Sequence, residues 1–120
     1  MIVTSRGPSC AVVWLHGMGG TGPVEQEWAD AFGRRARHEM PGDCFWEFPR
    51  APEGPVTFHC GRVMPRWWDT WGDATSLDWV DNPEDVSTSV AMVHTILDNL
   101  AADSDRVVVG GFSQGAAMAL

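Results

Sequence analysis

Arg106-Val107-Val108-Val109-Gly110-Gly111-Phe112-Ser113-Gln114-Gly115-Ala116-Ala117-Met118-Ala119-Leu120 is the stretch whose reading decides the fold. Its apolar, β-branched run predicts a strand. A G-x-S-x-G turn follows at Gly111 to Gly115, and then small residues suited to the start of a helix. A serine on such a strand-to-helix turn is pushed out of the sheet, and the flanking glycines leave room for the sharp backbone. Ser113 is therefore a candidate nucleophile. The competing reading is a glycine turn carrying an incidental serine.

Working back from this turn, Ala11-Val12-Val13-Trp14-Leu15 is a second apolar run and predicts a buried strand. It opens into His16-Gly17-Met18-Gly19-Gly20-Thr21-Gly22. Attack of a serine on an acyl carbon creates an oxyanion, which needs fixed N–H donors about 3 Å away. One donor follows the nucleophile, here Gln114, and a glycine-rich loop after an early strand supplies the other. A phosphate-binding turn is the alternative for the loop, but it has neither a G-K-[ST] ending nor a strict G-x-G-x-x-G pattern. His16 is expected to shape the turn rather than to act as a base.

Between these segments, Glu25 to Glu39 predicts a helix with Trp28, Phe32 and Ala36 on one face. Cys44 to Phe48 predicts a strand. Arg50 to Asp81 is rich in Pro, Gly and Trp, and a loop of that length is usually functional. Asn82-Pro83-Glu84-Asp85 is a helix start, with Asn at the cap, Pro at the first position and acids in the first turn. Val86, Val90, Val93, Leu97 and Leu100 step along one face of that helix, and Ala101 to Asp105 predicts a turn. Alternating strands and helices imply an α/β fold, a mainly parallel sheet with helices on both faces.

Composition narrows the function. The chain has 120 residues, 44% of them apolar, with seven Trp and a net charge of −8. All eight of its cationic residues are Arg. An acidic chain without a basic cluster argues against nucleic acid and against polybasic membrane docking. Cys10, Cys44 and Cys60 show no metal-like spacing, which favours a reduced, cytoplasmic protein and no metal. No run approaches the roughly 18 apolar residues of a membrane span, and the first residues lack a signal-peptide core. In the middle segment, Pro55, Val56, Met64, Trp67 and Trp68 would either border a groove for an acyl chain or pack as a second small core.

With these segments in hand, the chain resembles the acyl-protein thioesterase and phospholipase/carboxylesterase family of α/β hydrolases. Leu15 to Gly22 is similar to its L-H-G-x-G-[DG]-[TS]-G loop. Pro49 to Asp69 is similar to its P-x-A-P-x-x-P-V-T segment and the M-x-x-W-[FW]-D that follows. Gly110 to Gly115 is similar to its G-G-F-S-Q-G elbow. The resemblance implies Ser113 as nucleophile, the N–H groups of Met18 and Gln114 as oxyanion hole, and Pro55 to Trp68 at the acyl groove. It also implies hydrolysis of acylated proteins, lysophospholipids or simple esters without a cofactor.

Two departures stand out. Pro23 to Glu27 looks longer than the family's link. The family places its triad Asp and His after the elbow, whereas His16, His38, His59 and His94 all precede Ser113. His59 could approach the site but is not expected to serve as a substitute base, and no residue here can be named as the triad Asp. The chain is thus expected to be the N-terminal portion, residues 1–120, of a single α/β-hydrolase domain whose C-terminal part is missing. Alone it is expected to be nearly inactive. A non-catalytic fragment or binding module is the alternative.

Overall fold

A computed structural model describes residues 10–20, 24, 27, 31, 44–73, 75 and 78–120. Strands β1 (Cys10–Leu15), β2 (Cys44–Glu47) and β7 (Arg106–Gly111) form a parallel sheet in the order β2-β1-β7. Central β1 is apolar on both faces and buried along nearly its whole length, as a strand covered on both sides must be. The helix expected over Glu25 to Glu39 lies mostly outside the described residues, although Val24, Glu27 and Ala31 are helical.

Helix α1 (Pro83–Asp103) begins where the sequence requires. The Asn82 side chain accepts from the Glu84 and Asp85 N–H groups at 3.0 and 3.2 Å, satisfying two of the donors a helix start leaves open. The later part of the expected face is as foreseen: Val93 is buried, and Leu97 and Leu100 pack on the core of Val13, Leu15, Ala51 and Trp67, joined there by Ile96. The first turns differ. Val90 is exposed and Ser89 takes the buried position, because the Ser89 hydroxyl donates to the Trp67 carbonyl. The segment expected to be a turn from Ala101 remains helical to Asp103.

Arg50 to Asp81 is not a featureless loop. It folds into two antiparallel hairpins, β3 (Glu53–Val56) with β4 (Arg62–Pro65), and β5 (Thr70–Asp73) with β6 (Asp78–Asp81). A short 3-10 turn, Thr57–His59, leads out of β3. Proline lies within both β3 and β4, which two-stranded ribbons tolerate because each strand has a free edge. Among the described residues no helix is long and apolar enough to cross a membrane.

Candidate active site

The elbow is where backbone geometry and sequence meet. Ser113 links β7 to α2 (Gln114–Met118) with φ 52° and ψ −120°, a region that favours glycine. The residue is exposed. The flanking glycines are needed because three backbone segments crowd there. A Cβ on Gly115 would collide with the carbonyl oxygens of Leu15 and His16, and one on Gly111 would lie 2.5 Å from the Gly115 carbonyl. Hydrogen bonds then fix the turn: Phe112 N–H to Leu15 O at 3.0 Å, Gly115 N–H to Phe112 O at 2.9 Å, and Ala117 N–H to Ser113 O at 3.1 Å.

The loop after β1 is held just as firmly. The Ala51 N–H donates to His16 Nε2 at 2.9 Å, so Nε2 carries no proton. The proton is on Nδ1, which donates to Gly17 O at 2.6 Å. With both nitrogens occupied and its ring buried beside Trp67, His16 shapes the loop and is not a base for Ser113. Gly19 N–H donates to Pro65 O at 2.7 Å and Gly20 N–H to Gly17 O at 3.0 Å, so both amides are committed. The Met18 amide meets no backbone carbonyl among the described residues. Gln114 opens α2, so its N–H is one of those a helix leaves without an internal acceptor. Loop and elbow touch: a Cβ on Gly17 would sit 3.3 Å from Ser113 Cβ.

Above this contact is an open cavity of about 620 Å³. Gly17, Met18, Ser113 and Gln114 form one wall, with Phe112 and Ala117 beside them. Phe58 and His59 approach from the first hairpin, Trp68 from the link between the hairpins, and Thr70, Trp79 and Asp81 from the second. Of the five residues expected to border a groove, Trp68 lines this cavity. Val56 and Trp67 are wholly buried instead. Trp67 is a hub of the core: its N–H donates to Gln114 Oε1 at 2.8 Å and its indole N–H to His16 O at 2.8 Å. Met64 packs its sulfur beside Gly19, and Pro55 is exposed on β3. His59 does reach the cavity, His94 is exposed on α1, and His38 lies outside the described residues. Among the described residues no cluster of three or more metal-ligating side chains occurs.

Two side chains hold the hairpins over the elbow. Gln114 accepts from Trp67 N–H and donates through Nε2 to Trp68 O at 2.8 Å, clamping the cavity wall to the start of α2. Replacing Gln114 with Ala leaves a buried N–H without its acceptor, and should destabilise the fold by about 2 kcal/mol, read from the shift of the urea midpoint. Asp69 accepts from the Thr57 N–H at 2.8 Å and the Thr57 hydroxyl at 2.7 Å, joining the two hairpins. Its own N–H donates to Asp85 Oδ2 at 3.0 Å, and Asp85 pairs with Arg66 at 3.2 Å.

Burial opposes the Asp69 charge, but the Thr57 hydroxyl and N–H, the Thr70 N–H and the Arg66 guanidinium outweigh it, so its pKa lies below the ordinary 3.8. A depressed folded-state pKa stabilises the protein above the unfolded value, and that gain is lost as pH falls through the folded value. Asp69→Asn should therefore lower the urea midpoint at pH 7, and the gap from the unmutated protein should close as pH falls through and below the ordinary carboxylate range. An unchanged gap at low pH would contradict this origin.

All 120 residues, 1–120, match the sequence model of the Phospholipase/Carboxylesterase family. A probable inactive carboxylesterase of Oryza sativa subsp. japonica is 40% identical over 121 residues, covering 98% of this chain and 48% of the rice protein. Acyl-protein thioesterase 1 of Neurospora crassa is 33% identical over 118 residues, covering 93% of this chain and 47% of its own. The crystal structure of Zea mays acyl-protein thioesterase 2 is similar with a TM-score of 0.72 at 30% identity, covering 98% of this chain and 47% of that one. The chain spans about half the length of the curated relatives it matches.

Proposed function

The chain belongs to the phospholipase/carboxylesterase family of α/β hydrolases, and from that premise we propose that it carries the nucleophile half of a serine hydrolase for acyl esters or thioesters. The observation that carries this reading is Ser113: strained, exposed and on the same cavity wall as Met18 and Gln114. Residues 1–120 are then the N-terminal portion of one hydrolase domain working in the cytoplasm on an acylated protein or a small lipid or ester.

In the reaction, Ser113 Oγ attacks the acyl carbon while its proton passes to a base. The resulting oxyanion is held by the Met18 and Gln114 N–H groups. Collapse expels the alcohol or thiol, which takes the proton back from the base. Water then hydrolyses the acyl-serine by the same route. The His and Asp that complete the triad belong to the other half of the fold. The hydroxyl alone is a weak nucleophile and needs that base.

Assay of a p-nitrophenyl ester and a palmitoyl thioester tests the reading. Residues 1–120 alone should be nearly inactive, and the protein carrying the whole hydrolase fold should turn over at least one of the two esters through Ser113. Strong Ser113-dependent turnover by residues 1–120 alone would overturn the division of labour. A second reading, a non-catalytic binding module, is favoured by the rice relative's description as probably inactive. It predicts that the whole fold binds ester without consuming it.

A further inference from the structure

The cavity over Ser113 is unusual in what its outer walls are made of. Phe58 and Trp79, from different hairpins, meet edge to face with centroids 5.0 Å apart and planes at 72°. Trp68 adjoins them and spends its indole N–H on Asp81 Oδ1 at 2.7 Å. Asp81 is exposed and is the one carboxylate of the described lining, which contains no Arg. His59, the other titratable group there, packs edge-on against Phe58 at 5.1 Å. The nearby guanidinium of Arg66 is turned away, bonded to the Pro55 carbonyl at 3.2 Å and paired with Asp85.

Aromatic rings that share a cavity lining with a single carboxylate suit one kind of ligand group. A cation within about 6 Å of a ring centroid is attracted by the negative face of the π system. A quaternary ammonium carries no N–H donor, so it needs no acceptors from the wall and gives up little hydration there. Within the described lining, an ordinary anion would meet Asp81 with no Arg to offset it. The net charge of −8 also raises the local concentration of cations around the protein. Trp79 is 39% and Phe58 48% exposed, which leaves ring surface for a ligand to cover.

We propose that the cavity over Ser113 accepts a quaternary ammonium group of the choline type, held by Phe58, Trp68 and Trp79 with Asp81 as counter-charge. That this group belongs to an ester cleaved at Ser113 rests on the hydrolase reading above; the cation site itself does not. The acceptable esters are thus those in which the ammonium lies within reach of the scissile bond.

Titration of tryptophan fluorescence with choline, and with its uncharged isostere 3,3-dimethylbutanol, tests the site in the protein carrying the whole fold. Choline should bind about tenfold more tightly than the isostere. Asp81→Asn and Trp79→Leu should each bring choline close to the isostere. On the unmutated protein, rising salt should weaken choline and spare the isostere. Equal affinities, or a choline affinity indifferent to salt and to both substitutions, overturn the proposal. A second arm compares butyrylcholine with 3,3-dimethylbutyl butyrate. Selective choline binding with neither ester cleaved supports the cation site and removes the hydrolase reading. Equal cleavage of both esters without choline binding removes the cation site and keeps the hydrolase.

Discussion

Ser113→Gly should do two opposite things: abolish turnover and make the protein more stable. In the protein carrying the whole fold, loss of a serine nucleophile should lower kcat by about four to six orders of magnitude. The stability change comes from the backbone. At φ 52° and ψ −120° a side chain is strained, and such positions cost of order 1–3 kcal/mol. Glycine relieves that strain, so the variant should gain about 1 kcal/mol even after its larger unfolded-state entropy is charged against it. Ser113→Ala separates the two effects, since it loses the hydroxyl and keeps the strain. It should match the glycine variant in activity and the unmutated protein in stability. Equal stability of all three would mean that the elbow stores no strain.

Gly115→Ala should be severely damaging for a single added methyl group. The added carbon has nowhere to go, because the obstacles are the Leu15 and His16 carbonyls and not the ends of flexible side chains. Relief requires β1, the His16 loop and the start of α2 to separate. Overpacking in a tight core costs about 1–3 kcal/mol, and here the moving parts are backbone, so the upper end is expected. Activity should fall as well, since the same shift parts Met18 from Gln114. Gly61→Ala is the comparison. Gly61 has φ 76° but open space around it, so its variant should lose about 1 kcal/mol and keep its activity. A Gly115→Ala protein as stable as Gly61→Ala would contradict the three-way contact.

The features legible in the sequence were those set by neighbours along the chain. The Asn82 cap, the apolar β1 and β7 and the glycine-flanked Ser113 each depend on a few consecutive residues, and each lies where the pattern put it. The role of His16 was legible too, because a histidine opening a glycine loop after a buried strand has backbone on both sides to bond. The hairpins were not. Their strands hold Pro55, Pro65 and Gly72, which break period-2 alternation, and their pairing joins residues with no local signature. Trp67 and Trp68 are adjacent and identical in type, yet one is buried at the centre and the other faces the cavity. Composition cannot distinguish them; the Gln114 clamp does. One signal was present and unread. The Thr57 and Asp69 of the middle motif bond to each other, which is a physical reason for that pair of residues at that spacing.

The site's chemistry likewise depends on contacts between segments far apart in sequence. Gly17 lies so near Ser113 that a Cβ added to it would sit 3.3 Å from the Ser113 Cβ, and Gln114 reaches across to Trp67 and Trp68. These contacts bring Met18, Ser113 and Gln114 into the lining of one cavity. Phe58, Trp79 and Asp81 enter the cavity only because the two hairpins fold over it.

The most direct measurement is a crystal structure of the whole-fold protein after reaction with an alkyl fluorophosphonate. Phosphorus should be bonded to Ser113 Oγ, with one phosphonyl oxygen about 3 Å from both the Met18 and the Gln114 nitrogen. An unmodified Ser113, or an adduct whose oxygen meets neither amide, would contradict the account.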